Sequence, residues 1–177
     1  IKNMVVAAYT DSSLYGSEGD LIPDDDALKG FNKHKIHSQG GSLLLIMDKA
    51  QLDNVGDVPF SFADWRTRAS RRVLHSTLAA EAQAAVETFG LAKYYRAYLC
   101  DILFGYADWK GIDEYGEDEI PIMLFTNCKY LFDHIKKENA VPDDKWIAVP
   151  VASLRGAISA GPERDTRKAE ARWVPSG

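Results

Sequence analysis

The sequence predicts an α/β fold on a mixed five-stranded sheet, three antiparallel strands followed by two parallel additions, with helices on both faces. Three observations predict it. Short apolar runs ending in polar or turn-forming residues fill the first third of the chain. A long stretch of helical periodicity follows, broken only by Gly90. Apolar runs then alternate with helical patterns to the end.

Residues 4–10 (Met-Val-Val-Ala-Ala-Tyr-Thr) are apolar and partly β-branched, with Asp11-Ser12-Ser13 next. They read as a buried strand whose end carries the Asp11 carboxylate. Residues 16–41 hold Pro23, the Asp24-Asp25-Asp26 run and much of the early glycine, which marks a long solvated loop closing at Gly40-Gly41. Ser42 to Met47 is the second strand. After a turn from Asp53 to Pro59, Phe60, Phe62 and Trp65 alternate with polar or small residues, as in a half-buried third strand. Three such strands in succession form a meander.

From Ser76 or Thr77, either of them an N-cap, to Cys100, the residues Leu78, Ala82, Ala85, Phe89, Ala92 and Leu99 mark the apolar stripe of a long helix. The stretch 105–120, with six acidic residues and three glycines, is an exposed loop. Ile122 to Phe125 is a short strand running into Thr126-Asn127, and a helix from about Lys129 to Lys137 follows. Asp143 or Asp144 caps a further helix carrying Ile147, Val151, Leu154 and Ile158 on one face. Pro150 marks its first turn or a kink, and Gly161-Pro162 ends it. Ala169 to Val174 is the closing strand.

At 177 residues the chain has the length of a single domain over 1–177. No apolar run approaches the ~20 residues of a membrane span, so no membrane partner is expected. Cys100 and Cys128 are too few for a disulfide framework and lack metal-site spacing, which points to a reducing, intracellular setting. The net charge of -5 argues against binding nucleic acid through the overall field, leaving local patches or bound cations.

Three polar side chains fall at the edges of buried elements: Asp11 after the first strand, Glu81 about one turn into the long helix, and Asn127 after the fourth strand. Strand ends of an α/β sheet meet in a crevice where such residues converge. Clustered oxygen ligands suit Mg²⁺ or Mn²⁺, and a pair of hard cations roughly 3.5 to 4 Å apart is the arrangement that activates water for phosphoryl chemistry. Singly, each has an ordinary reading: Asp11 as a turn residue capping its own backbone, Glu81 as a solvated helix residue, Asn127 as an N-cap. Their combination is what points to a site. Arg66, Arg68, Arg71 and Arg72 form a basic cluster between the third strand and the long helix; phosphate contacts and a solvated charge run both remain open there. His34, His37, His75 and His134 show no metal spacing.

Tyr9-Thr10-Asp11-Ser12-Ser13-Leu14 resembles the first-strand motif of retroviral and retrotransposon ribonucleases H. Ala80-Glu81-Ala82-Gln83-Ala84 is similar to their helix motif. Thr126-Asn127-Cys128-Lys129-Tyr130 resembles their fourth-strand motif, with Asn127 where the family has aspartate. Trp173-Val174-Pro175 resembles the last-strand motif, and the resemblance puts a fourth acidic residue beyond Gly177, so that the domain is truncated at its C-terminus. Ser38-Gln39-Gly40-Gly41, Trp65-Arg66-Thr67 and His75-Ser76-Thr77 point within the family to copia-type elements.

The resemblance covers residues 4 to 175. It implies a ribonuclease H-like fold and metal-dependent hydrolysis of the RNA strand of RNA/DNA hybrids. Asp11, Glu81 and Asn127 would be the catalytic and metal-binding positions of a two-metal Mg²⁺ or Mn²⁺ site, and Ser12, Ser13 and the four arginines would lie against nucleic acid. The partners it implies are the hybrid and a reverse transcriptase domain of the same polyprotein, in the cytoplasm, nucleus or a retrotransposon particle. Because Asn127 is neutral and offers one carbonyl oxygen, impaired activity is expected. The alternative is a non-catalytic module that binds nucleic acid or packs against a polymerase partner. Another nuclease or an integrase of the same broad fold would need its acidic residues on different elements.

Overall fold

β1 (Met4–Leu14) lies at the centre of the sheet, as its apolar sequence dictates: Val5, Val6, Ala7 and Ala8 are all fully buried, with none of the alternation of a half-solvated strand. The computed structural model describes residues 3–14, 38–52, 57–70, 74, 76–105, 120–137, 142–159 and 169–175. β2 (Ser38–Asp48) runs antiparallel to β1 along its whole length, from Met4 opposite Asp48 to Leu14 opposite Ser38. β3 (Phe60–Ala69) continues the meander. After helix α1 (Thr77–Phe104), β4 (Ile122–Thr126) joins the other side of β1 in parallel, Val6 opposite Ile122 and Thr10 opposite Thr126. Helices α2 (Lys129–Lys136) and α3 (Lys145–Ser159) lead to β5 (Ala169–Trp173), parallel to β4. The strand order is β3-β2-β1-β4-β5, the mixed five-stranded sheet expected from sequence.

Two of the strands are longer than their apolar runs. β1 continues through Asp11 to Leu14, so Asp11 sits within the strand, opposite Gly41, and one residue past the last β1–β4 pair. β2 begins at Ser38, which places Gly40-Gly41 inside the ladder rather than at a loop end. Of the loops expected over 16–41 and 105–120, residues 16–37 and 106–119 lie outside the described residues.

In β3 the register shifts between Leu44 and Leu45: Leu44 faces Asp64 and Leu45 faces Phe62, a bulge that absorbs Ala63. The bulge explains the uneven spacing of the aromatics, because it turns Trp65 to the same face as Phe62 and Phe60. They are not half-buried as expected; exposures of 58%, 58% and 63% for Phe60, Phe62 and Trp65 leave them largely in solvent on the edge strand.

All three described helices pack on one face of the sheet. Val6, Ala8, Leu44, Ile122, Leu124, Ala169 and Ala171 meet α1 residues such as Ala82, Ala85 and Phe89, together with Leu131 and Ile135 of α2 and Val151 and Leu154 of α3. The opposite face carries a smaller cluster of Val5, Ala7, Leu45, Met123 and Phe125, and no α-helix lies there among the described residues; Leu52, at the end of the single 3-10 turn Lys49–Gln51, packs against it. None of the described helices is long and apolar enough to cross a membrane.

α1 starts where its cap predicts, with Ser76 Oγ accepting from the Ala79 N–H at 3.1 Å, and ends at Gly105 in the left-handed conformation (φ 70°) that favours glycine. α3 is capped by Asp144, whose carboxylate accepts from the Trp146 N–H at 2.8 Å; Pro150 lies inside it and forgoes one helical hydrogen bond. The alanine-rich face of α1 lets it approach the sheet closely. A Cβ added at Gly40 would stand 3.1 Å from Ala84 Cβ, whereas one at Gly41 would find only the Asp11 carbonyl at 3.8 Å.

That contrast predicts opposite outcomes for neighbouring substitutions. Gly40→Val should destabilise the protein by about 1–3 kcal/mol, the ordinary cost of overpacking. Gly41→Ala should be neutral or slightly stabilising, since alanine costs less backbone entropy. Urea denaturation of both variants checks this, and equal stabilities would mean that α1 does not sit against β2 as described.

Candidate active site

β1 outruns β4 at one edge of the sheet, and the first turns of α1 cross above that edge. This brings the three sequence-predicted residues together. Asn127, just past the end of β4, donates from Nδ2 to Asp11 Oδ1 at 3.2 Å, across 116 positions of chain. The same Asp11 oxygen accepts the Ser12 N–H at 2.9 Å, so the turn-like self-capping expected of an Asp-Ser pair occurs, but within a strand.

Asn127 is not the N-cap of α2. Cys128 holds that position without a side-chain cap bond, and its N–H goes to Thr126 Oγ1 at 3.1 Å. The Asn127 amide is thereby free to turn toward Asp11. Its backbone is fixed from the other side: the Trp173 indole donates to the Asn127 carbonyl at 3.2 Å, and the Val174 N–H bonds the Thr126 carbonyl at 2.9 Å. Lys129 Nζ lies 5.3 Å from the centre of the Trp173 ring, a cation–π contact that ties α2 to β5 beside the site.

Glu81 is no solvated helix residue, for it is only 5% exposed. Burial pushes its carboxyl above the usual carboxylate range and the Asp11 charge adds to the shift, while the side chain and backbone of Ser12 draw it part of the way back. The Ser12 hydroxyl acts by proximity and closes no bond. Ser12 Oγ, Glu81 Oε2 and Thr10 Oγ1 are all buried and have no hydrogen-bond partner among the described residues. Two orphaned hydroxyls and one orphaned carboxylate oxygen, close to the Asp11 carboxylate, form a corner of negative potential that a hard cation would satisfy.

Among the described residues no group of three or more His, Cys, Asp or Glu side chains gathers to hold a metal. The donor set is two carboxylates and an amide oxygen, which suits one magnesium-like ion completing its shell with water. Cys128 offers no nucleophile beside it, because burial raises its thiol and the Glu81 charge raises it further.

The basic cluster is only partly described. Arg66 and Arg68 lie in β3 itself rather than between strand and helix. They line an open cleft of about 400 Å³ with Gly40, Ala84, Glu87 and Leu91, on the α1 side of the sheet. Arg66 is paired with Asp64, Nε to Oδ2 at 2.9 Å. Arg71 and Arg72 lie outside the described residues. Ser13 is exposed at the end of β1. Three features of this corner were absent from the sequence reading: the orphaned Thr10 hydroxyl, the Trp173 bond to Asn127, and the Ser42–Thr88 hydroxyl pair at 2.6 Å that links β2 to α1.

No family model and no curated protein matches the chain. Solved structures do share its outline. A ribonuclease H1 isolated from compost by a metagenomic approach is 9% identical with a TM-score of 0.49, over 97% of this chain and 84% of that one. The native protease–reverse transcriptase of prototype foamy virus is 11% identical with a TM-score of 0.43, over 98% of this chain but 18% of that one. The foamy viral protease–reverse transcriptase in complex with dsDNA is 11% identical with a TM-score of 0.46, over 98% of this chain and 83% of that one. At such values the likeness assigns no residue a role.

The raised Glu81 carboxyl predicts a pH dependence of stability. Its folded-state affinity for a proton exceeds that of the unfolded chain, so stability falls as pH rises from the unfolded value, about 4.3, to the raised folded one, and stays lower above it. Glu81→Gln should therefore raise the thermal midpoint at pH 7 by roughly 2–4 °C, the effect of ~1 kcal/mol in a chain of this size. At pH 4 the gain should vanish. Melting curves at both pH values test this, and a Gln variant less stable at pH 7 would mean the carboxylate is satisfied.

Proposed function

We propose that this chain is a ribonuclease H-like domain of a copia-type retrotransposon polyprotein, a single domain over residues 1–177, whose ancestral reaction is metal-dependent hydrolysis of the RNA strand in RNA/DNA hybrids. The observation that carries the reading is the convergence of Asp11, Glu81 and Asn127 at one sheet edge, on the three elements where the motifs put them. Asp11 and Glu81 would hold a Mg²⁺ or Mn²⁺ ion, with the Asn127 carbonyl oxygen turned inward in place of the amide nitrogen. When bound, such an ion activates water and stabilises the leaving oxygen. Thr10 and Ser12 supply buried hydroxyls behind the carboxylates, and Trp173 keeps Asn127 in reach.

Substrate would be held by its backbone. Ser13 lies at the exposed end of β1, whereas the hydroxyl of Ser12, expected from sequence beside it, is buried behind the carboxylates and faces no substrate; Arg66 and Arg68 border the cleft along α1, where phosphates of the hybrid would lie. Arg71 and Arg72, next in sequence, belong to the same proposed contact. With the ion in place the corner becomes locally positive, which answers how a chain of net charge -5 accepts a polyanion. A reverse transcriptase domain of the same polyprotein is the partner consistent with this reading, in an intracellular setting.

Asn127 favours a second reading. An amide that donates to Asp11 occupies an oxygen a cation would need, as suits a module that keeps the fold for hybrid binding or for packing against a polymerase while losing catalysis.

Two measurements separate these. Asn127→Asp should raise Mg²⁺-dependent cleavage of a labelled RNA/DNA hybrid at least tenfold over the native chain, and Asp11→Asn in that background should abolish it. Independently of activity, Mg²⁺ should raise the thermal midpoint of Asn127→Asp, and the shift should disappear in Asp11→Asn. Salt-dependent hybrid binding with no cleavage by any variant supports the non-catalytic module instead.

A further inference from the structure

The second half of α1 carries a row of side chains that is left exposed on the helix surface. Gly90, Tyr94, Tyr98 and Ile102 recur every four residues, the spacing that stacks side chains into one ridge along a helix. Tyr94, Tyr98 and Ile102 are each at least half exposed, and a Cβ built on Gly90 would meet nothing within 4 Å. The ridge is braced from the side: Tyr94 and Tyr95 meet edge to face with ring centres 5.9 Å apart, and Tyr95 stands beside the Asp64 carboxylate of β3. Glu87 and Asp101 flank its two ends, three residues before Gly90 and three after Tyr98. No basic residue falls on it, since Lys93 and the buried Arg96 lie off the row.

We propose that this ridge is a docking surface for a basic amphipathic helix of a partner protein. Exposed apolar side chains rimmed by polar ones mark places where another chain binds. The charges choose the occupant. A nucleic acid or an anionic lipid surface would meet Glu87 and Asp101 with like charge, and a second copy of this chain would bring four carboxylates into one contact with no cation from the ridge. A helix with apolar side chains on one face and lysine or arginine along its edges answers both the row and the acids. Gly90 supplies an independent reason. Glycine inside a helix costs stability relative to alanine, and at this open position nothing in the fold offsets it, whereas a missing Cβ lets a second backbone approach closely. The arginines of β3 do not reverse the balance: Arg66 is paired with Asp64, and Arg68 lies back toward the acidic corner, opposite Gly40. Tyr94 is about 20 Å along the helix axis from Glu81, so a partner seated here leaves the acidic corner open. The inference therefore stands or falls apart from the catalytic reading.

The test is fluorescence anisotropy with a labelled peptide of about four helical turns, leucine on one face and lysine on the other. Its controls are a peptide of the same composition with the leucines scattered, and one of the same pattern with glutamate for lysine. The patterned basic peptide should bind the native chain about tenfold more tightly than either control. Tyr98→Ser should weaken it about tenfold, the loss of one anchoring aromatic. Asp101→Lys should weaken it as well, whereas Asp143→Lys, an equal charge change at an exposed site off the ridge, should not. Gly90→Gln should raise the thermal midpoint of the free protein while weakening the peptide, a combination that a purely structural glycine would not give. Far-ultraviolet circular dichroism checks that the variants stay folded. Equal binding of the patterned and scattered peptides, or no binding, overturns the proposal, as does an Asp143→Lys variant weakened as much as Asp101→Lys. So does a native chain that sediments as a dimer and that Tyr98→Ser dissociates, which would make a second copy the occupant.

Discussion

The close seating of α1 on the sheet is the constraint from which the site follows. Gly40 offers no Cβ, Ala84 offers only one, and the two backbones approach to a distance that a larger residue at either position would disturb. Ala79, Ala82 and Ala85 extend the same small-residue contact along the helix. A helix held this near the strands carries Glu81 down to the level of β1, beside Ser12, with little water around it. The Ser42–Thr88 hydroxyl pair fixes the helix about two turns further on. Had bulkier residues lifted α1, the carboxylate would be solvated and its proton affinity ordinary.

The sheet supplies the other half of the geometry. β1 pairs with β2 through Leu14 but with β4 only as far as Thr10, and the mismatch leaves a step at which Asp11 and Asn127 meet. Parallel pairing of β4 requires a crossover, and α1 is that crossover. The same element therefore closes the topology and delivers the second carboxylate, so fold and site cannot be separated: disturbing the α1 contact would disturb the acidic corner with it.

Much of this was legible in the sequence. The uninterrupted apolar run of β1 and the Ser76 cap predicted their elements because local chemistry alone decides them. The order of elements then limited the sheet to a meander with parallel additions. The burial of Glu81 was not legible, because Glu81, Thr88 and Arg96 all fall on the covered side of α1, and a periodicity argument assigns polar residues to solvent. Trp65 failed in the opposite sense: alternation says which residues share a face and leaves open whether anything covers it. The bulge at Ala63 added one residue to the period, and nothing in the local composition marks it.

Asn127 gathers these threads. Its position was predicted by a motif and its ordinary alternative was a helix cap, yet the structure gives the cap to Cys128 and turns the amide to Asp11. A carboxylate at that point would add a third negative charge beside Asp11 and a Glu81 already driven toward its neutral form, an arrangement tolerable only with a cation bound. The amide relieves that repulsion by donating a hydrogen bond where an acid would repel. The same bond weakens the attraction that would draw metal in, while Thr10 Oγ1, Ser12 Oγ and Glu81 Oε2 stay unpaired among the described residues.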